Sequence, residues 1–327
     1  MRAAAVAIAL LGAGILTACG SKSEGPASGA GASTSKRTSA EGKVTASAEE
    51  VAEEARGSVK CPPKMTTPAR AKGAPVDDVV GVRPGMTYEE ASNTVMCSND
   101  LLVVQEDRSR RFNIQTYGQE IRQGFTARFA VDRVEKTSKQ IMKELQDSAM
   151  ARGSNRVVRD MQPGQAKWYV ATMGVPGQER VISAAREEWF DSGRNPTVQS
   201  VEQALIRKYG TPTDTQHQSG QALLSWSYDP RQRPITETSP LYQRCRGTAD
   251  PDGGTNFSPD CGIVVEAHVQ GLRENPDLAE YLQVGVIDQA GGYDLLTSTE
   301  QGLQKLENER RAREVEEASK NAVAPDL

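Results

Sequence analysis

Aromatic side chains are scarce in this sequence of 327 residues, with three Trp, eight Tyr and five Phe, and there are only two histidines, His217 and His268. So few imidazoles exclude a histidine-rich metal centre, and neither His has a sequence neighbourhood suited to a general base. Beyond the first two dozen residues no apolar run approaches the ~18 residues of a membrane span. There is no basic excess either: the formal charge is -4. A polyanion binder carries a basic face, so nucleic acid is not an expected partner. C-x-x-C pairs, G-x-S-x-G, H-E-x-x-H and P-loop patterns are absent, leaving no recognisable catalytic motif and no implied cofactor or metal.

What is present begins at the N-terminus. Arg2 precedes a stretch of Ala, Val, Ile, Leu and Gly running to Leu16, the layout of an export signal. At ~1.5 Å per helical residue it reaches about two-thirds of a ~30 Å hydrocarbon core, too short for a comfortable span. It ends in Leu16, Thr17, Ala18 and Cys19, which resembles the lipobox of bacterial lipoproteins. The resemblance implies that residues 1–18 are removed and that the Cys19 thiol carries diacylglycerol, with acyl chains such as palmitate anchoring the chain to a membrane. Removal of Arg2 takes the formal charge from -4 to -5. Gly20 and Ser21 follow the cysteine where an Asp is the inner-membrane retention signal of such lipoproteins. The expected location is therefore the outer membrane, facing the periplasm, with the inner membrane as the alternative.

Residues 19–46 are rich in Gly, Ser, Ala and Thr and read as a flexible tether with an average reach of ~25 to 30 Å. Lipidation of Cys19 leaves Cys61, Cys97, Cys245 and Cys261, an even set suited to two disulfides in an oxidising compartment. Four cysteines allow three connectivities; the local pairs Cys61 with Cys97 and Cys245 with Cys261 are expected.

The remainder divides into an α+β region over 47–152, a second over 153–298, and a polar tail over 299–327 with helical propensity. Ser47 with Glu50 and Thr87 with Glu90 are capping boxes, opening helices to about Arg56 and Cys97. Strands are expected at Leu101–Gln105, Arg111–Thr116 and Gly124–Val131, then a helix from Val134 to Met150 with Ile141, Met142, Leu145 and Ala149 on one side. A hairpin joins Lys167–Thr172 to Arg180–Phe190 through Gly174, Val175, Pro176 and Gly177. A helix follows Thr197 and stops at Gly210. Leu223–Tyr228, Gly262–Val269 and Leu282–Asp288 complete the strands. The expected fold is α+β, with an antiparallel sheet or hairpins and amphipathic helices packed on one side. A Pro-containing turn, a capping Thr and an apolar i, i+3, i+7 face recur at Pro84, Thr87, Tyr88, Ala91 and Val95 and at Pro196, Thr197, Val198, Val201 and Leu205; two independently capped helices are the simpler reading.

The segment Val82 to Ala91, with Gly85, Met86, Thr87 and the acidic pair Glu89 and Glu90, resembles the helix opening of small lipoproteins of the outer-membrane barrel-assembly machine and of β-lactamase-inhibitor-like domains. That implies helices against an antiparallel sheet and binding to other proteins. The second helix of that pattern is missing here, since strands follow Cys97.

Trp168, Tyr169, Trp189, Phe190, Trp226 and Tyr228 gather around the hairpin strands. Packing within the sheet is the ordinary role for such residues. Trp168, Trp189 and Trp226 are the candidates for a partner-binding surface. Glu187 and Glu188 are the carboxylates to consider for an acid–base pair, with a hairpin edge as their plainer setting. The loop from Asp250 to Asp260 is oxygen-rich, yet Gly254 takes the third acidic position of an EF-hand spacing and no Glu follows, so a disulfide-closed turn is expected. Arg108, Arg110 and Arg111 make a short basic turn. Together these features favour a lipoprotein that binds another envelope protein as assembly accessory, inhibitor or immunity factor. The alternatives are a carboxylate-dependent enzyme acting on cell-wall substrate and a passive structural lipoprotein.

Overall fold

A computed structural model of the chain describes residues 42–63, 67, 69–108, 112–153, 161–218 and 220–322. The export segment, Cys19, Arg110 and Arg111 lie outside the described residues. In chain order the elements are β1 (Lys43–Ala46), α1 (Ala48–Arg56), α2 (Tyr88–Met96), β2 (Leu102–Glu106), β3 (Gly124–Phe129), β4 (Arg133–Glu135), α3 (Ser138–Gly153), β5 (Ala166–Met173), β6 (Arg180–Trp189), α4 (Val198–Tyr209), β7 (Asp214–Gln218), β8 (Gln221–Ser227), β9 (Ile263–Gly271), β10 (Ala279–Asp288) and α5 (Gln289–Asn321).

The fold is α+β. Eight strands form one antiparallel sheet in the order β2-β3-β5-β6-β10-β9-β8-β7, and β1 and β4 pair separately. The large sheet is two four-strand meanders, each preceded by a helix, joined where β6 pairs with β10 from Tyr281↔Trp189 to Ile287↔Ser183. The likeness of the two helix starts extends to their surroundings. Thr87, the cap of α2, bridges Arg180 at the start of β6, and Thr197, the cap of α4, bridges Leu278 just before β10. Each Thr hydroxyl accepts from the backbone N–H three residues on, satisfying a donor that the first helical turn leaves open.

Side-chain alternation along the strands makes two different faces. On one, α2 and α4 lay Tyr88, Ala91, Val95, Val201, Leu205 and Tyr209 over Phe125, Trp168, Val170, Trp226, Val265 and Val286, forming the main core. On the other, Tyr169, Ala171, Met173 and Ile182 form a smaller cluster beneath Phe112, Ile114, Phe257, Leu295 and Leu296. Helices therefore pack on both sides, because α5 takes the face opposite α2 and α4 and meets β5, β6, β9 and β10. The two expected disulfides are present, Cys61–Cys97 and Cys245–Cys261.

Several expectations shift. Arg133–Glu135 extends rather than coiling because it pairs with Lys43–Ala46, so α3 starts at Ser138, where Thr137 and Gln140 exchange capping bonds. That pairing places residues 43–46, the last four of the expected tether, in a strand. Residues 112–116 form no strand: Phe112 N–H donates to the Gln123 side chain, and Phe112 and Ile114 serve as a flap on the smaller cluster. The polar stretch around His217 is the edge strand β7, and α5 begins ten residues before the polar tail. The boundary expected at residues 152 and 153 is spanned by the β3–β5 ladder, and all described residues belong to one compact unit.

Candidate functional site: the open face of the sheet

Beyond the strip covered by α5 and the flap, the second face of the sheet carries polar and aromatic side chains in two cross-strand rows. One runs Lys167, Glu187, Gln283, His268, Leu223 and Gln216; the other runs Trp189, Tyr281, Gln270, Gln221 and Gln218. These residues come from β5 to β10, and only register brings them together.

A hydrogen-bonded frame holds the centre. Glu187 is buried, 6% exposed, and its Oε1 accepts the Trp189 indole N–H at 2.5 Å while its Oε2 accepts the Gln283 amide at 2.8 Å. With its amide nitrogen donating there, Gln283 presents Oε1 to His268 Nδ1 at 3.3 Å, so Nδ1 carries the proton. His268 Nε2 is buried and has no hydrogen-bond partner among the described residues. Such an orphan costs about 1–3 kcal/mol. Lys167 Nζ stands 3.5 Å from Glu187 and 2.6 Å from Asp252, a residue of the Cys245–Cys261 loop. The disulfide loop is thereby tied to the sheet as one wall of the site.

Over this frame the Trp189 and Tyr281 rings stack with centroids 5.2 Å apart and planes 24° off parallel, and Tyr281 meets His268 edge-on at 5.8 Å. Trp189 and Tyr281 are both half-buried, and Leu223 is 38% exposed farther along. In the neighbouring row Glu266 accepts the Gly247 N–H at 2.9 Å, and burial pushes its carboxyl above its ordinary value near 4.5. Arg246 links Asp214 and Ser225 beside it. The aromatic surface is held from below by hydrogen bonds and flanked by amides able both to donate and to accept.

Of the three tryptophans expected at a binding surface, only Trp189 lies here. Trp168 and Trp226 are each 1% exposed and belong to the main core, where Trp226 donates to the Gly210 carbonyl and packs on Tyr209. Alternation explains the split: Trp168 pairs with Arg186 and shares its face, whereas Trp189 is an odd number of residues along β6. Glu187 and Glu188 sit at the centre of the sheet, not at an edge. As strand neighbours they point to opposite faces, and Glu188 pairs with Arg186, so they do not converge on one substrate. His217 does have a carboxylate neighbour, Glu202 at 3.0 Å, in a surface pair between the edge strand and α4. Asp252 is engaged by Lys167, and among the described residues no group of three or more His, Cys, Asp or Glu is placed to hold a metal ion. Arg108 is exposed at the end of β2.

A second concavity, about 180 Å³, lies between α4 and the core face, with Val79, Val201, Leu205 and Val284 among its walls. Its cations are compensated, Arg186 by Glu188 and Lys208 by Asp78.

Sequence reasoning missed Tyr281, Gln283, Lys167 and Gln270. The alternation of Tyr281 and Gln283 with Leu282 and Val284 is the signal of a strand with one polar face. Among the described residues no helix is long and apolar enough to cross a membrane. No protein-family model, curated protein or solved structure matches the chain.

Proposed function

We propose that this chain is a lipid-anchored envelope protein, held by Cys19 at the outer membrane and facing the periplasm, that binds another envelope protein through the open face of its sheet. The observation that supports this reading is Trp189, stacked on Tyr281 and fixed through its indole N–H by a buried carboxylate. Interface hot spots favour Trp and Tyr because these side chains bring a large contact area at little cost in rotamer freedom. Here that freedom is already spent in the unbound protein. The glutamines around the pair supply donors and acceptors for a polar rim. The chemistry suits stoichiometric recognition, as in an assembly accessory, an inhibitor or an immunity factor.

Crosslinking in cells from a photoreactive residue at Gln270, followed by mass spectrometry, is expected to capture one recurrent envelope protein. Trp189→Ala is then expected to weaken binding of the purified pair by at least ~2 kcal/mol, roughly 30-fold. Leu306→Ala, on α5 and away from the site, is the control that leaves binding intact. Failure to capture a recurrent partner, or an unchanged affinity in Trp189→Ala, overturns the proposal. Cys19→Ser tests the anchor separately, through loss of membrane retention.

A further inference from the structure

Exposed apolar side chains are concentrated in one part of this molecule. Val44 on β1, Val131 just before β4, and Ile141, Met142, Leu145 and Met150 on α3 are 54%, 71%, 46%, 65%, 57% and 60% exposed. They account for half of the large hydrophobic side chains exposed among the described residues. On α3, Ile141, Met142 and Leu145 recur at i, i+1 and i+4 and share one helical face, while Lys139, Lys143 and Asp147 lie toward the other. Among the described residues no helix or strand makes more than slight contact with α3. In water such a face is an unmet demand for an apolar neighbour.

The covalent path indicates what meets it. β1 begins at Lys43, twenty-four residues after Cys19, and is the first element among the described residues. Its ladder to β4 pairs Lys43 with Glu135 and Val44 with Val134, and α3 starts three residues after β4. The point where the chain from Cys19 enters the folded body is therefore hydrogen-bonded to the segment that launches the exposed helix. Lys139 and Lys143 have no ion-pair partner among the described residues, and their long stems let ammonium groups reach lipid headgroups while the adjoining apolar side chains enter the acyl boundary.

We infer that α3 lies in the plane of the bilayer surface, with Ile141, Met142 and Leu145 inserted at the level where headgroups meet acyl chains. The inference rests on the lipid-anchored reading for the choice of occupant. Three side chains give a weak association on their own, which an anchor strengthens by raising the local lipid concentration. The helix then fixes the orientation of the folded body against the membrane.

The test uses an environment-sensitive fluorophore attached through Met142→Cys, and in parallel through Asp147→Cys on the polar side of α3, in the otherwise full chain. Vesicles contain phosphatidylcholine with phosphatidylglycerol, with and without brominated acyl chains. The lipidated chain and a Cys19→Ser chain at saturating lipid are both measured. The expected result is blue-shifted emission quenched by brominated lipid at position 142 and water-like emission at position 147. Ile141→Asp with Leu145→Asp is expected to reduce partitioning of the Cys19→Ser chain about tenfold or more, with an unchanged circular dichroism spectrum. Water-like, unquenched emission at both positions in both chains overturns the inference, as does quenching by self-association in the absence of lipid. If the Cys19 chain floats with vesicles no better than the Cys19→Ser chain, the anchor reading fails. Quenching at position 142 of the Cys19→Ser chain would in that case still uphold insertion of α3.

Discussion

The two faces of the eight-stranded sheet use the same strands for opposite ends. One is closed by α2 and α4 over Trp168 and Trp226, and the other leaves Trp189 and Tyr281 partly open above a frame of Glu187, Gln283 and His268. Because alternate residues of a strand diverge, one hairpin supplies a core indole and a surface indole 21 positions apart. The first is fixed by dispersion contacts on all sides and the second by a hydrogen bond from below. A residue's type does not reveal which it is; its parity does.

Truncating the core indoles gives the sharpest test of that contrast. Trp168→Ala or Trp226→Ala is expected to cost about 3–5 kcal/mol in denaturant unfolding, whereas Trp189→Ala costs about 1 kcal/mol or less. Equal losses at Trp168 and Trp189 would erase the distinction between the faces. Next in size is the loop that walls the open face. Replacing both Cys245 and Cys261 by Ala removes a closure over 16 residues and is expected to cost about 3 kcal/mol. Faster hydrogen exchange around Asp252 should accompany the loss, since its pairing with Lys167 depends on the loop's position. Unchanged exchange there would separate the loop from the site.

The smallest effect concerns Glu266, whose carboxyl burial raises above its ordinary value. The native state therefore holds that proton more tightly than the unfolded state does. This contribution makes stability fall as pH rises from about 4.5 through the folded-state pKa, and it levels off above that point. Glu266→Gln is expected to flatten this part of the pH–stability profile measured by urea midpoints. An unchanged slope would assign the effect elsewhere, with Asp288, also raised by burial, the next group to replace.

Much of the scaffold was legible where the signals are local. The capping boxes at Ser47 and Thr87, the stop at Gly210, the hairpin around Pro176 and the two short-range disulfides each depend on residues near in sequence. Harder to read were β1 and β4, whose seven residues gain meaning only from each other across 87 to 92 positions, and β7, an edge strand that is almost entirely polar because its side chains face water. The site was legible only in part. Trp189 announced itself by type, but Tyr281, Gln283 and His268 stand 79 to 94 positions later and reach it through the β6–β10–β9 register. No local periodicity encodes that register.

The seam between β6 and β10 carries one more consequence. The turn linking the two meanders, Asp191 to Arg194, is exposed, while the pieces on either side of it share the central ladder and the packing of α5 on β5 and β6. A protease that nicks this turn leaves two fragments still clasped as one particle. Kept apart, each would bare an inner strand as a sticky border, so the halves are natural complements for reconstitution and poor candidates for life alone.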